Sequence, residues 1–335
     1  MASATFASLP VEIVYPIFSY ACTPDSYYHS RPLGPALNLV SRAFRDICLT
    51  YGPDVEHVAI RRVPSMATFA ILLSQRNIHA KRVRSLLLEE STVWRTLTKF
   101  AVDFITEILK SINPFYLRTL FISLSSPPRG HNDTIPTIAL PARFPVLSVI
   151  FLSKVLVISP MGHQPRSPML KCMQILDLAA DSSPDMDLGE ELTRLAPSLR
   201  RIKFSVLPSS STAELLTSAL DALVPPHTDD YKKSIQSDIL HIPPQVVLAY
   251  LPYYVPTVSG TSRVAPIVYT ESARSYDAGV RLVWLQHRIP RDPVIKWPTP
   301  AIRHTDVYKE DERRKREAFW ADWMACVAGK KVVWT

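Results

Sequence analysis

Six copies of the apolar pattern Leu-x-x-Leu-x-Leu, with other apolar residues allowed at each position, recur between residues 55 and 204. Successive copies begin 28, 34, 30, 26 and 26 residues apart. This spacing leaves room for one strand and one return segment per copy, and such a unit is too small to bury its own apolar face. The pattern therefore predicts stacked units that share one core. The six copies are Val55/Val58/Ile60, Val83/Leu86/Leu88, Leu117/Leu120/Ile122, Leu147/Ile150/Leu152, Met173/Leu176/Leu178 and Leu199/Ile202/Phe204.

The return segments between and after these copies are of two kinds. Residues 125–146 and 159–169 are rich in proline, glycine and polar residues, which predicts loops on the edge of the repeat. The other four have apolar residues at helical spacing together with helix start or stop signals, and they predict helices. Those signals are Ser65, Asn113-Pro114, Asp187 with Glu190, and Ser211 with Glu214.

The repeat becomes weak after about residue 225. Residues 246–250 and 280–285 nevertheless predict two more strands, which would extend the sheet or close its end. Residues 308–328 predict a long helix with charged residues on one side. Its apolar face would consist of Phe319, Trp320, Trp323, Met324 and Val327.

Composition limits the class of protein. The chain has 335 residues, 47% of them hydrophobic, and 30 prolines against 8 glycines, so its elements should be short and often end at proline. Lys and Arg exceed Asp and Glu by 38 − 30 = 8 charges. The four cysteines form no Cys-x-x-Cys pair, which fits a reducing compartment, cytoplasmic and/or nuclear. No signal peptide or membrane span is expected, since Glu12 interrupts the apolar N-terminal segment.

Known catalytic and ligand-binding motifs are missing from the sequence. It contains no Gly-x-Gly-x-x-Gly or phosphate-binding loop, no Gly-x-Ser-x-Gly elbow and no His-Glu-x-x-His zinc helix. The nine histidines are scattered singly. We therefore predict no catalytic residue, no cofactor and no metal site, and expect that the chain is not an enzyme.

The first fifty residues have a different pattern from the repeats. Apolar residues recur at helical spacing from Leu9 to Phe18 and again from Ala36 to Cys48, which predicts short helices. Pro10 and Glu12 are typical of a helix start. Pro16 lies inside the first predicted helix, where it removes one intrahelical hydrogen bond.

This segment resembles the F-box. The resemblance rests on Leu9-Pro10-Val11-Glu12-Ile13, on Ile17-Phe18-Ser19-Tyr20, and on Leu39-Val40-Ser41-Arg42-Ala43-Phe44-Arg45. It implies docking on the Skp adaptor of a Skp/cullin/F-box ubiquitin ligase, with a substrate-binding region behind the box. Carried over residue by residue, the adaptor-binding surface would consist of Leu9, Pro10, Ile13, Ile17, Phe18, Leu37, Val40 and Phe44. The following units resemble irregular leucine-rich repeats, although the asparagine or cysteine that follows the strand in regular repeats is missing.

Basic residues are concentrated near the first two copies. Residues 61 to 95 contain seven basic and two acidic residues, a balance of 7 − 2 = +5. Charge-assisted hydrogen bonds from such a patch could bind an acidic or phosphorylated protein segment, whereas solvated flanks of strands and helices are the plainer interpretation. The candidate substrate-binding residues are Arg61, Arg62, Lys81, Arg82 and Arg84.

These observations predict an α/β fold in three parts. Residues 1–52 form an F-box-like helical module, 53–225 a leucine-rich-repeat-like solenoid, and 226–335 the strands and helix that continue and cap it. The expected function is recruitment of a protein substrate to the ligase, with neither nucleic acid nor membrane as a partner. The alternative is a ligase-independent interaction scaffold whose N-terminal helices only cap the solenoid.

Overall fold

Three short helices precede an α/β fold whose main sheet is parallel throughout. The computed structural model describes residues 9–23, 33–90, 95–124, 136–160, 166–178, 188–206, 246–251, 281–286 and 300–330. The helices are α1 Val11–Cys22, α2 Leu33–Val40, α3 Arg42–Tyr51, α4 Val63–Ser74, α5 Arg95–Ser111, α6 Leu188–Leu195 and α7 Pro300–Val327. The strands are β1 His57–Ile60, β2 Ser85–Glu89, β3 Thr119–Ser123, β4 Thr137–Ala139, β5 Val149–Ser153, β6 Leu156–Ile158, β7 Cys172–Leu178, β8 Arg201–Val206, β9 Val246–Leu251 and β10 Arg281–Gln286.

The main sheet has eight strands in the order β1-β2-β3-β5-β7-β8-β9-β10. Neighbouring strands are parallel and follow each other in chain order, with β4 and β6 set aside as a separate two-stranded parallel sheet. Each of the six predicted copies contains a strand, and the two strands predicted near 246–250 and 280–285 are confirmed. The predicted α/β class is confirmed as well.

One face of the sheet forms the main core. Alternate strand residues such as Leu86, Leu88, Leu120 and Ile122 are fully buried together with Ile105 of α5. Parallel strands need a return segment that crosses back over the sheet, and α4, α5 and α6 provide it for three of the units. Each fully buried leucine or isoleucine contributes about 1.5–3 kcal/mol, so this face supplies most of the fold's stability.

The opposite face of the sheet is covered in part by α7. Phe319 and Trp323 of α7 pack against Leu87, Phe121 and Phe151 of β2, β3 and β5. The Phe121 and Phe319 rings meet edge to face with their centroids 5.2 Å apart. The predicted apolar face of this helix is thus confirmed, and the structure places it on the sheet.

Proline turns lead into four of the strands. Pro114, Pro145, Pro168 and Pro197 each follow a residue whose carbonyl accepts a hydrogen bond from the amide three residues on. Proline fixes φ near the value required at the second position of such a turn. The high proline content therefore reflects, in part, a structural feature repeated in front of β3, β5, β7 and β8.

The predicted alignment of the fifth copy is wrong by three residues. Ile150 and Leu152 of β5 pair with Met173 and Ile175 of β7, so the copy in register is Leu170/Met173/Ile175. All three of these side chains are buried in the main core. Leu176 is instead associated with the cluster under α7, because successive side chains of a strand point to opposite faces.

Two other predictions need correction. Residues 125–146, expected to be an edge loop, contain β4, and Ile138, Leu140 and Phe144 there are fully buried. The helix expected to begin at Ser65 begins at Val63, with Pro64 in its first turn. It has no side-chain cap, because the residue before it is Arg62, whose side chain carries no hydrogen-bond acceptor. The helices predicted around Asn113-Pro114 and Asp187 correspond to α5 and α6, whereas the one predicted after Ser211 lies outside the described residues.

Candidate functional site

A row of apolar side chains lies on the outer side of α1. Leu9, Ile13, Ile17 and Tyr20 follow each other at spacings of three or four residues, and all four are exposed. The two isoleucines, at 48% and 43%, are exposed to nearly the same extent. The helix continues through Pro16, which is exposed as well. Contiguous exposed apolar side chains of this kind mark interaction sites more often than isolated ones do.

The end of α2 adds two more apolar side chains. Leu39 and Val40 are exposed, and α2 contacts α1. We call these six residues the N-terminal apolar surface: Leu9, Ile13, Ile17, Tyr20, Leu39 and Val40.

Behind this surface the three helices form a small core of their own. Val14, Phe18 and Cys48 are buried in it, with Leu37, Phe44 and Ile47 half-buried beside them. The rings of Phe18 and Phe44 meet edge to face at 4.7 Å. Burial holds the pKa of the Cys48 thiol near 12, so this cysteine is an inert packing residue.

The predicted adaptor-binding residues therefore divide into two groups. Phe18, Leu37 and Phe44 hold the three helices together. Exposed side chains form the other group, namely Leu9, Pro10, Ile13, Ile17 and Val40. Tyr20 and Leu39, which were not among the predicted adaptor-binding residues, are also exposed. Their helical spacing from Ile17 and Ala36 was the available signal in the sequence.

Two ion pairs lie between the N-terminal helices and the first two units of the sheet. One is buried on both sides, whereas in the other only the carboxylate is buried. The Arg76 guanidinium donates two hydrogen bonds to the Asp54 carboxylate, at 2.8 and 2.6 Å, and a third to the Cys48 carbonyl at 3.0 Å. The second pair is Arg84 with Glu56, where Nε and Oε1 lie 2.7 Å apart.

Glu56 also accepts hydrogen bonds from α1. Both the Tyr15 hydroxyl, at 3.3 Å, and the Ser19 hydroxyl donate to its Oε2 atom. Burial, and then the Glu56 charge, raise the pKa of Tyr15, so it stays protonated as a donor. These contacts fix α1 relative to the strands, and a partner bound on α1 would be held in a defined orientation to the sheet.

The five basic candidates do not form one patch. Arg61 and Arg62 follow the carboxyl end of β1, whereas Lys81, Arg82 and Arg84 precede the amino end of β2. Because the two strands are parallel, these groups lie at opposite edges of the sheet. Arg84 is paired with Glu56, and Arg82 has its guanidinium carbon 5.8 and 5.4 Å from the ring centroids of Tyr15 and Tyr116.

Arg61 is held in a similar way at the other edge. Its Nε lies 3.8 Å from the Glu89 carboxylate, and its guanidinium carbon lies 4.2 Å from the Trp320 ring centroid. Burial raises the pKa of Glu89, while Arg61 and Arg316 lower it in part. Arg61 therefore contributes to the contact between α7 and the sheet, and Arg62 beside it is exposed.

Another set of basic residues lies along the amino edge of the sheet. Arg118, Lys171, Arg200 and Arg201 are exposed at the starts of β3, β7 and β8. We call them the cationic row. They lie outside residues 61–95, where basic residues are concentrated. In three copies they follow the first apolar residue, which is Leu117, Leu170 or Leu199.

Two charged residues, one on α7 and one on β8, are close enough to interact electrostatically. Asp322 of α7 and Lys203 of β8 influence each other's ionisation. Burial raises the pKa of Asp322 to about 6 although Lys203 acts to lower it. The centre of the sheet face is thus occupied by α7 rather than open to a partner.

The part of the chain that the structure describes contains neither a metal-binding cluster nor a membrane-spanning helix. No group of three or more His, Cys, Asp or Glu side chains there is placed to hold a metal ion. None of the helices in those described ranges has the length and apolar character that crossing a membrane requires. No protein-family model matches the chain, and a search of curated proteins finds no match either.

Proposed function

We propose that this protein is an F-box subunit of a Skp/cullin/F-box ubiquitin ligase. Residues 1–52 would be the F-box module, residues 53–225 a leucine-rich-repeat-like solenoid that binds a protein substrate, and residues 226–335 its continuation and cap. The chain itself would supply no catalytic residue or cofactor, and its effect on ubiquitin transfer would come from holding the substrate close. A cytoplasmic or nuclear location fits this role.

The observation that carries the proposal is the N-terminal apolar surface. Its residues belong to the segment that resembles the F-box, and they remain exposed after α1, α2 and α3 have packed together. A helical segment of this size has too little interior to bury all its apolar side chains. Burying the exposed half of each isoleucine would contribute about 1 kcal/mol, so several such side chains together would favour docking by several kcal/mol before the cost of association is subtracted.

The leucine-rich-repeat-like description is supported by the strand order. Each strand lies beside the next one in the chain, and in-register apolar residues repeat from β1 to β8. Units that contact mainly their neighbours are the basis of a solenoid, and solenoids commonly present binding surfaces.

Adaptor binding tests the proposal directly. The full chain is co-expressed with a Skp-type adaptor, and the Ile13→Ser/Ile17→Ser variant is compared with wild type by affinity capture and by titration calorimetry. We expect at least a tenfold loss of affinity, since about 1.4 kcal/mol corresponds to a factor of ten. The matched control is Ile71→Ser/Ile78→Ser, which removes two isoleucines with exposures of 60% and 49% from α4 and the turn after it.

The outcomes are distinct because both variants change exposed side chains and should stay folded. Loss of adaptor binding in the α1 variant alone supports the F-box proposal. If the wild-type chain is folded and does not bind the adaptor, the F-box proposal is wrong. The ligase-independent scaffold, in which α1–α3 only cap the repeat, would then be the better description.

A further inference from the structure

The cationic row is a stacked feature rather than a chance cluster. A ladder of backbone hydrogen bonds joins the equivalent residues of successive units. In it, the amide of each residue donates to the carbonyl of the residue before it in the series Arg84, Arg118, Ser148, Lys171 and Arg200. Each residue therefore occupies the same position of its unit. Adjacent strands are about 4.8 Å apart, so the row from β3 to β8 extends over about 14 Å.

These charges are solvent-exposed and lack acidic neighbours in the described residues. None of Arg118, Lys171, Arg200 and Arg201 has a described carboxylate within ion-pair distance, in contrast to Arg84 with Glu56. Burial raises the pKa of the Cys172 thiol, and the positive charges of Arg201 and Lys171 lower it in part, so both charges lie near this residue. Two like charges one strand apart repel each other by about 0.9 kcal/mol even in water, and an anionic partner would relieve this repulsion.

Exposed apolar residues accompany the row. Phe115, Val146 and Met169 lie in the turns that precede β3, β5 and β7. Within three residues, each is followed by the residue that takes part in the backbone ladder, which is Arg118, Ser148 and Lys171 respectively. At the amino edge of the sheet, an exposed apolar and a cationic side chain thus occur together in front of β3 and β7.

We infer that the cationic row, with the apolar turn residues beside it, binds an acidic amphipathic segment of another protein. On a helix, residues three and four apart recur at about 5–6 Å, close to the spacing of the strands. Carboxylates on one face of a helix can therefore meet Lys171 and Arg200 on adjacent strands and, two steps further along because Ser148 lies between, Arg118. Of the three apolar turn residues, Phe115 alone offers a ring on which a base can stack, whereas sequence-independent nucleic-acid binding uses successive aromatic side chains, which favours a protein segment over a nucleic acid. Within the proposed function, this segment would belong to the substrate.

Binding of a defined probe tests the inference without the adaptor. The probe is a labelled helical peptide of about four turns, built of alanine with glutamate and leucine at spacings of three and four residues. Fluorescence anisotropy with the full chain should show saturable binding that weakens as salt rises. The Arg118→Glu/Arg200→Glu variant should bind at least tenfold more weakly, and Arg118→Gln/Arg200→Gln should show an intermediate loss.

The control removes the same charge elsewhere. Arg45→Glu/Lys99→Glu changes two exposed basic residues on α3 and α5 and should keep wild-type affinity for the probe. Equal probe binding by wild type and the Arg118→Glu/Arg200→Glu variant would overturn the inference. A labelled single-stranded oligonucleotide that binds more tightly than the peptide, with the same loss in the variant, would also overturn it. Adaptor affinity should be unchanged in the Arg118→Glu/Arg200→Glu variant, so failure here is distinguishable from failure of the F-box proposal.

Discussion

Arg76 and Asp54 form a two-fold hydrogen-bonded ion pair that is almost completely shielded from water. Their side chains are 1% and 3% exposed, and the Arg76 guanidinium also bonds the Cys48 carbonyl at the end of α3. Arg76 directly follows α4, while Asp54 lies in the turn between α3 and β1. The pair therefore connects the N-terminal helices to the first return helix of the repeat.

Breaking this pair on one side should be costly. Arg76→Met leaves the Asp54 carboxylate buried with the Asn38 amide, at 3.2 Å, as its remaining side-chain donor. We expect a loss of about 3–5 kcal/mol in the free energy of unfolding, measured by urea denaturation. The double variant Arg76→Met/Asp54→Leu should recover much of it, because neither buried charge then remains. If the free energy of unfolding of Arg76→Met alone lies within about 1 kcal/mol of the wild-type value, the ion pair is exposed to water.

The docking of α7 on the sheet predicts a second effect. Trp323 is fully buried, and its replacement by alanine should cost about 3–5 kcal/mol because a large cavity remains. Glu317→Ala removes an exposed side chain of the same helix and should change stability by less than about 1 kcal/mol. Urea denaturation gives both values. Similar small effects of the two substitutions would indicate that α7 does not pack on this face.

The raised pKa of Asp322 on α7 predicts that the stability of the fold depends on pH. Asp322 has a pKa of about 6 in the folded chain and near 3.9 when unfolded. Between about pH 4 and 6 the folded state keeps a proton that the unfolded state has lost, so the free energy of unfolding falls as pH rises. Asp322→Asn should remove this dependence and be more stable than wild type at pH 7 by about 1–3 kcal/mol.

Urea denaturation of wild type and Asp322→Asn at pH 4 and pH 7 isolates the contribution of this carboxyl. The difference in stability between the two proteins should be small at pH 4 and should grow toward pH 7. A constant difference across this range would mean that Asp322 titrates at its ordinary pKa.

Local patterns were sufficient to predict many elements. The apolar alternation of Leu86 and Leu88 identified β2 and its core face, and the same reasoning located β1, β3, β5 and β8. The same alternation located β7 but gave it the wrong register, because Leu170/Met173/Ile175 and Met173/Leu176/Leu178 both fit the pattern. Only the pairing with β5 decides between them, because it determines which residues face the helices.

Long-range placement could not be predicted in the same way. Phe319 and Trp323 clearly marked an apolar helix face, but nothing local indicates that this face covers the side of β2, β3 and β5 away from the main core. The cationic row was missed for a related reason. Arg118 and Lys171 are 53 positions apart in sequence and approach each other only when the units stack in register.

Gly52 provides a test of how tightly the N-terminal helices fit against the repeat. It ends α3 with a φ of +70°, and a Cβ atom added to it would lie 2.0 Å from the Ala80 carbonyl oxygen. Gly329 has nearly the same φ, +69°, with nothing within 4 Å of an added Cβ. Both Gly→Ala substitutions carry the cost of a left-handed backbone, about 1–2 kcal/mol, but only Gly52→Ala also forces the backbone near Ala80 to move.

We therefore expect Gly52→Ala to lower the free energy of unfolding by clearly more than Gly329→Ala does. Hydrogen exchange should locate the excess loss of protection in α3 and in the turn Ile78–Ala80, which the close approach of Gly52 to Ala80 connects. Equal effects of the two substitutions would mean that backbone strain alone decides the outcome and that α3 can move away from the turn at little cost.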